Sequence, residues 1–279
     1  MIRDILSNFN IDCASFVPAS LCRAANQRLF SAVPENANVI FMLFPYFCGD
    51  ADKKISAYGA VYDYHGFAKE VFASLEAYVN EKYPGRFVKG YADHSPYLEC
   101  EGAALAGLGI IGKNSLLISE KYSSYVFIAE LVTTLTADEL ICEKIPEGKG
   151  EIRYCEGCDA CVAACPAGCA GSDSRENCIS HLTQKKGELS ESEIALIKKG
   201  GSVWGCDTCQ YACPHTKKAI KNGTVYSPIP YFIDSYLGDD PVLKIKQMDD
   251  NTFSLYPFAW RKRPTIERNI SILKELQND

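Results

Sequence analysis

Nine of the fourteen cysteines fall between residues 155 and 213, and their spacing is that of metal ligands. The first run reads Cys155-x-x-Cys158-x-x-Cys161-x-x-x-Cys165-Pro166, and the second Cys206-x-x-Cys209-x-x-x-Cys213-Pro214. Cysteines three residues apart let one tight loop wrap a corner of an iron–sulfur cubane. The cysteine before the proline then sits at the start of a helix and points away, toward a second cluster. Two 4Fe–4S clusters take four thiolates each, and the two runs leave that set one short. Cys178, between the runs, supplies the last. The expected sets are Cys155, Cys158, Cys161 and Cys213 for one cluster, and Cys165, Cys178, Cys206 and Cys209 for the other. Zinc also uses Cys-x-x-Cys pairs, but it has no need of a third cysteine in the same loop followed by Cys-Pro. Cys169 reads as a structural thiol. Cys13, Cys22, Cys48, Cys100 and Cys142 read as small buried residues. Such a module transfers electrons, and unpaired thiols in this number point to a reducing cytoplasm.

The elements that must carry this module differ on its two sides. The cysteine density changes near Pro146–Gly150, which suggests a boundary. Before it, Asn38–Tyr46 reads as a buried strand and Tyr64–Tyr83 as an amphipathic helix with Phe67, Val71, Leu75, Tyr78 and Val79 on one face. Arg86–Ala92, Ser115–Ser119 and Tyr125–Thr134 read as strands, and Leu98–Leu108 as a short helix ended by glycine. After Cys213 the chain reads as loop-rich, with a last helix over Thr265–Leu276. The expected class is α+β with an α/β-like alternation. The expected domains are 1–145, 146–225 and 226–279, the last an extension carrying the terminal helix.

Composition narrows the function classes. The 279 residues are 47% hydrophobic and 23% charged, ordinary globular values with a formal net charge of −6. That balance counts against a large phosphate-tracking face. The basic residues Lys217, Lys218, Lys221 and Arg261–Arg263 leave room for a local one. The longest apolar run, Val39–Phe44, is too short to span a bilayer, and the N-terminus has no signal-peptide core, so no membrane partner is expected.

The first half carries its own candidates. Gly107-x-Gly109-x-x-Gly112 matches a dinucleotide fingerprint, but it follows a helix and opens none, so the context that motif needs is missing. These glycines are expected instead to let backbone approach a bulky flat ligand. Asp63-Tyr64-His65 and Asp93-His94-Ser95-Pro96 are the other segments that stand out by their titratable groups. Asp93 alone reads as a turn or N-cap residue, and His65 alone as a satisfied histidine.

Together and in order, these segments resemble the epoxyqueuosine reductase family, cobalamin-dependent iron–sulfur enzymes of queuosine tRNA modification. The matching pieces are Asp63-Tyr64-His65, the Asp93 turn, Ala106-Gly107-Leu108-Gly109 through Gly112-Lys113-Asn114, and Ser124-Tyr125-Val126-Phe127 to Glu130. They continue with the first cysteine run, Cys178-Ile179-Ser180 with Leu182-Thr183, Gly205-Cys206-Asp207-Thr208-Cys209-Gln210, Trp260-Arg261 and Arg268-Asn269. The resemblance covers about residues 50–270. It implies a nitroreductase-like cobalamin-binding domain followed by a two-cluster ferredoxin-like domain, with base-off cobalamin held between them and the clusters feeding electrons to cobalt. It implies that Asp93 is the acid that protonates the departing epoxide oxygen. A carboxyl does this near neutral pH when an apolar surface raises its pKa. It also implies cobalamin contacts at Ser56, Ala57, Asp93, Leu117, Ile128, Ser180 and Asp207. Longer members carry a C-terminal helical-repeat region absent from these 279 residues, and His94 stands where a small residue is usual. The expected partners are an epoxyqueuosine-containing tRNA or a smaller epoxide, and an external low-potential electron donor, with the protein a monomer. Two other functions suit the same residues: a cobalamin iron–sulfur reductase of another small molecule, of dehalogenase type, and an electron-transfer protein that reactivates a corrinoid.

Overall fold

Residues Asn38–Pro45 form β2, a strand buried along its whole length. A continuous apolar run of this kind belongs in a sheet covered on both faces. The computed structural model describes residues 1–275 and bears that out. The sheet is built from β1 (Ala14–Pro18), β2, β6 (Val126–Thr133) and β3 (Val88–Tyr91), in the order β1-β2-β6-β3, with every pair antiparallel. A small ribbon pairs β4 (Ile110–Ile111) with β5 (Leu117–Ile118). Helices α1 (Ile2–Asn8), α2 (Gln27–Phe30), α3 (Tyr64–Lys82), α4 (Glu99–Leu105) and α5 (Ala137–Cys142) complete this part.

The two faces of β2 go to different helices. Phe44 meets Phe67 of α3 edge to face at 5.0 Å. On the other face, Val39, Phe41 and Leu43 share a core with Ala103 and Ala104 of α4. A Cβ at Gly102 would lie 2.1 Å from the Phe41 ring, so only glycine lets α4 lie flat on the sheet. Glu130 of β6 stands opposite both Phe41 and Tyr91 and therefore points to the α4 face.

A second set of elements comprises α6 (Ala160–Ala164), α7 (Ile179–Gln184), α8 (Glu191–Gly200), α9 (Thr208–Ala212), α10 (Pro214–Lys221), α11 (Pro230–Ile233), α12 (Pro241–Gln247), α13 (Asp250–Phe253) and α14 (Arg263–Glu275). The stretch after Cys213, expected to be loop-rich, is thus a series of short helices. Pro214, Pro230 and Pro241 each open one, because a first-turn proline lacks only an N–H the helix would leave unpaired. The terminal helix begins at Arg263, two residues before the expected start, and the expected end at Leu276 lies outside the described residues.

The contacts divide the chain into two compact units that interleave in sequence. One comprises Met1–Pro45, Tyr64–Gly112 and Leu116–Glu156; the other takes Tyr46–Asp63, Lys113–Ser115 and the chain from Gly157 onward. The linear boundaries expected at 145/146 and 225/226 give way to this grouping for a packing reason. Ile55 and Ala60 share a core with Trp204, Leu237, Phe253 and Phe258, and the Asp63 N–H donates to Leu255 O at 2.8 Å. In this second unit Asn269 is fully buried, and its Nδ2 donates to Thr183 O at 2.7 Å and Val203 O at 2.9 Å. The Arg268-Asn269 pair thereby ties α14 to α7 and to the approach to Gly205.

One hub of the first unit is not legible in the sequence. The carboxyl of Glu143, fully buried, accepts from Ile2 N–H at 2.7 Å, Tyr83 OH at 2.7 Å, Lys82 Nζ at 2.6 Å and Tyr78 OH at 3.0 Å. Burial alone would raise its pKa; these donors outweigh burial and hold it at about 2. Glu143→Ala should cost about 3 kcal/mol, since buried bonds to a charged acceptor contribute about 1.5–3 kcal/mol and orphan their partners when lost. Because the folded pKa lies below the unfolded one, this stabilisation is fully present above about pH 5 and fades as pH falls toward 2. Urea unfolding of both proteins at pH 7 and pH 3 checks it: the gap between them should shrink at the lower pH.

Candidate iron–sulfur and acid–base sites

Apart from Cys155, the two cysteine runs lie in the second unit and fold alike. Asp159 precedes α6 and Asp207 precedes α9, with near-identical backbone angles, and Cys165 and Cys213 end those helices in extended conformation. The prolines that follow enforce that ending, since the residue before proline is pushed out of the helical region. The helices α6 and α9 pack against each other.

Cys178 caps α7 and lies close enough to influence Cys206, Cys209 and Cys169 electrostatically. Cys209 is pushed up to about 12 by burial and then by Cys206, Asp207 and Cys178. Cys169 is coupled in the same way to both Cys178 and Cys165. Cys178 thus lies near Cys206 and Cys209, and the buried Cys169 lies near both Cys165 and Cys178. Cys158, Cys161 and Cys213 belong to this unit as well, whereas Cys155 falls at the end of the first, its N–H donating to Ile111 O at 2.9 Å.

The surroundings of Cys165 fit a cluster thiolate. Cys169 N–H points at its Sγ from 3.3 Å. Burial would raise this thiol, but the N–H groups of Ala170, Ala167, Cys169 and Gly168 together bring it below its ordinary value. Successive backbone N–H groups around one sulfur form an anion nest. Among the described residues no three His, Cys, Asp or Glu side chains converge as a single ion requires. A cubane holds its thiolates apart by its own width.

Four of the expected cobalamin contacts also gather in this unit. Ala57 N–H donates to Asp207 Oδ2 at 2.6 Å, and Gln210 Nε2 to Asp207 Oδ1 at 2.9 Å. Burial raises Asp207 to about 6 against those bonds. Gln184 Nε2 spans Tyr58 OH at 3.0 Å and Ser180 O at 2.9 Å. The Ser56 hydroxyl is buried beside Tyr58, with which it shares a side-chain hydrogen bond. Gly205 closes the group: its φ is +71°, and a Cβ there would sit 2.0 Å from Ser56 Oγ. Leu117 and Ile128 belong to the first unit. Leu117 is part of its hydrophobic core, so its side chain is already committed, while Ile128 is half-buried.

Asp93 also belongs to the first unit, on the turn after β3, with its side chain 67% exposed. Its neighbour in space is His65 at the start of α3, Nε2 to Oδ2 3.5 Å, and not the adjacent His94 that the sequence puts forward. Two carboxyls lie beneath the turn. Glu99 Oε1 accepts from Asp93 N–H at 2.8 Å. Ser95 Oγ donates to Glu130 Oε2. Glu99 is pushed up to about 7, by burial first and the Asp93 carboxylate second. Glu130, fully buried, rises to about 9, chiefly by burial. Sequence reasoning missed both, although a lone carboxylate in the apolar run Val126–Thr133 is a usable signal. The glycine-rich stretch serves packing rather than a flat ligand at one position: a Cβ at Gly109 would lie 2.6 Å from Ile118 O, across the β4–β5 ribbon.

These features define an iron–sulfur protein whose cluster module is joined to an α+β unit, and residues 154–216 match the 4Fe–4S double cluster binding domain. The chain is 32% identical to epoxyqueuosine reductase of Bacillus cereus over 212 residues, 74% of this chain and 53% of that protein. It is 30% identical to that of Listeria monocytogenes over 216 residues, 76% and 54% respectively. The chain belongs to the epoxyqueuosine reductase family, and it spans about half the length of these relatives. The fold is shared with epoxyqueuosine reductase of Streptococcus thermophilus at a TM-score of 0.78 and 22% identity, covering 100% of this chain and 81% of that one. An epoxyqueuosine reductase solved with an epoxyqueuosine-modified tRNA stem loop superimposes at 0.74, with 22% identity and coverage of 98% and 79%. Among the described residues no helix is long and apolar enough to cross a membrane.

Proposed function

We propose that this chain is a cobalamin-dependent iron–sulfur reductase that removes the epoxide oxygen of epoxyqueuosine in tRNA. The observation that carries the reading is the presence, in one chain, of a double-cluster module and an exposed carboxyl on a turn anchored from beneath. Opening an epoxide to an alkene takes two electrons and two protons and releases water. The clusters and cobalamin, when bound, would supply the electrons one at a time from an external low-potential donor. The residues proposed to hold the clusters are Cys155, Cys158, Cys161 and Cys213 for one, and Cys165, Cys178, Cys206 and Cys209 for the other. Ser56, Ala57, Ser180 and Asp207 in one unit, and Asp93, Leu117 and Ile128 in the other, are the proposed cobalamin contacts. The bare backbone of Gly205, where a Cβ would come within 2.0 Å of Ser56 Oγ, is the kind of cradle a bulky cofactor needs. Asp93 gives its proton to the departing oxygen, and His65 at 3.5 Å is placed to share or return it. Lys217, Lys218 and Lys221, exposed along α10, offer phosphate contacts to a tRNA. The protein would act as a cytoplasmic monomer.

The formal net charge of −6 counts against a large phosphate-tracking face, so a free epoxide of the same chemistry is the alternative. Turnover with tRNA-bound and free epoxyqueuosine separates them. The cluster-loaded protein with cobalamin and a chemical reductant should convert the tRNA-bound form and leave the free nucleoside largely unchanged. Preference for the free nucleoside would move the substrate class, and no conversion of either, or no base-off shift in the cobalamin spectrum, would overturn the reading.

A further inference from the structure

The turn that carries Asp93 is held from below at two points. Asp93 itself has a φ of +57°, in the left-handed region that aspartate tolerates better than most side chains. Glu99, the first residue of α4, accepts the Asp93 N–H at 2.8 Å. Two residues on from Asp93, Ser95 is buried; its hydroxyl donates to Glu130 and accepts from Tyr97 N–H at 3.1 Å. Glu130 is fully enclosed, and its second oxygen, Oε1, has no hydrogen-bond partner among the described residues, so the Ser95 contact is what its carboxyl is committed to. Past Ser95 the chain is fixed to the Arg23–Asn26 segment, Ala25 N–H to Pro96 O at 2.8 Å and Leu98 N–H to Arg23 O at 3.0 Å. The part of the turn that bears Asp93 has one backbone bond of its own, His94 N–H to Ala92 O at 2.6 Å, and the two carboxyls tie it to the rest of the unit.

Building on the acid role proposed for Asp93, we propose that Glu99 is a positioning residue that fixes Asp93 through its backbone N–H, with Glu130 and Ser95 as the second anchor of the same turn. A carboxylate accepting a backbone N–H sets where the next side chain starts, and a misplacement of about 1 Å at a reacting group can cost about a hundredfold in rate. Glutamine keeps an oxygen for the same bond; alanine does not.

The experiment uses the cluster-loaded full chain and reads both amide hydrogen exchange at Asp93 and steady-state kinetics on epoxyqueuosine tRNA. Glu99→Ala should speed exchange at Asp93 by about tenfold or more and lower kcat by about ten- to a hundredfold with KM nearly unchanged. Glu99→Gln should bring both back to within a few fold of the wild type, and Ser95→Ala should speed exchange as Glu99→Ala does. Wild-type exchange and kcat in Glu99→Ala would overturn the proposal. So would a Glu99→Gln variant as impaired as alanine, because the carboxyl would then act through its proton and not its oxygen. If the wild type fails to turn over any epoxyqueuosine substrate, the parent reading falls, and the exchange measurements by themselves still decide whether Glu99 holds the turn.

Discussion

Asp93→Asn is expected to lower turnover by about a hundredfold or more while iron and cobalamin contents stay at wild-type levels. A positioned general acid contributes about 10²–10⁴ in rate, and asparagine keeps the shape of the side chain while losing the proton. The substitution should spare the fold, because the structural bond at this residue is made by its backbone N–H to Glu99, not by its carboxyl. The carboxyl faces solvent and His65, so nothing in the core is orphaned. Stopped turnover with unchanged cluster and cobalamin spectra is the expected pattern. Full activity in Asp93→Asn would put the acid elsewhere, and His65, 3.5 Å away, would be the next residue to replace.

The second large effect is on iron. Wild-type protein reconstituted without oxygen should hold about eight irons per chain, and Cys178→Ala about four. Cys178 is the informative position because it lies outside both runs. It caps α7, near Cys206, Cys209 and Cys169. The structure also names its competitor. Cys169 is buried beside Cys165 and Cys178, with its N–H on Cys165 Sγ at 3.3 Å. Cys169→Ala should keep about eight irons. The reverse outcome, four irons in Cys169→Ala and eight in Cys178→Ala, would exchange the two residues in the ligand set.

Local chemistry makes much of this molecule legible from its residues alone. The run of apolar residues at Asn38–Tyr46 reads as a buried strand, and the spacing of Phe67, Val71, Leu75 and Val79 as one face of a helix, because both patterns depend on neighbours in sequence. The helices opened by Pro214, Pro230 and Pro241 escape such a reading for the opposite reason. Proline breaks a helix interior and starts a helix, and which of the two it does depends on what packs behind it.

The sites divide along the same line. By itself the sequence determined the cluster chemistry, because ligands within one loop are set by spacing, and it singled out Asp93 by its resemblance to a family. It did not place His65 beside Asp93, nor Glu99 and Glu130 beneath the turn, nor Glu143 among Ile2, Tyr78, Lys82 and Tyr83. Glu99 is only 6 positions from Asp93, yet Glu130 is 35 from Ser95 and Glu143 is 141 from Ile2. Only the tertiary structure decides such contacts, because a carboxyl buried far along the chain from its partners is held by what the fold brings to it.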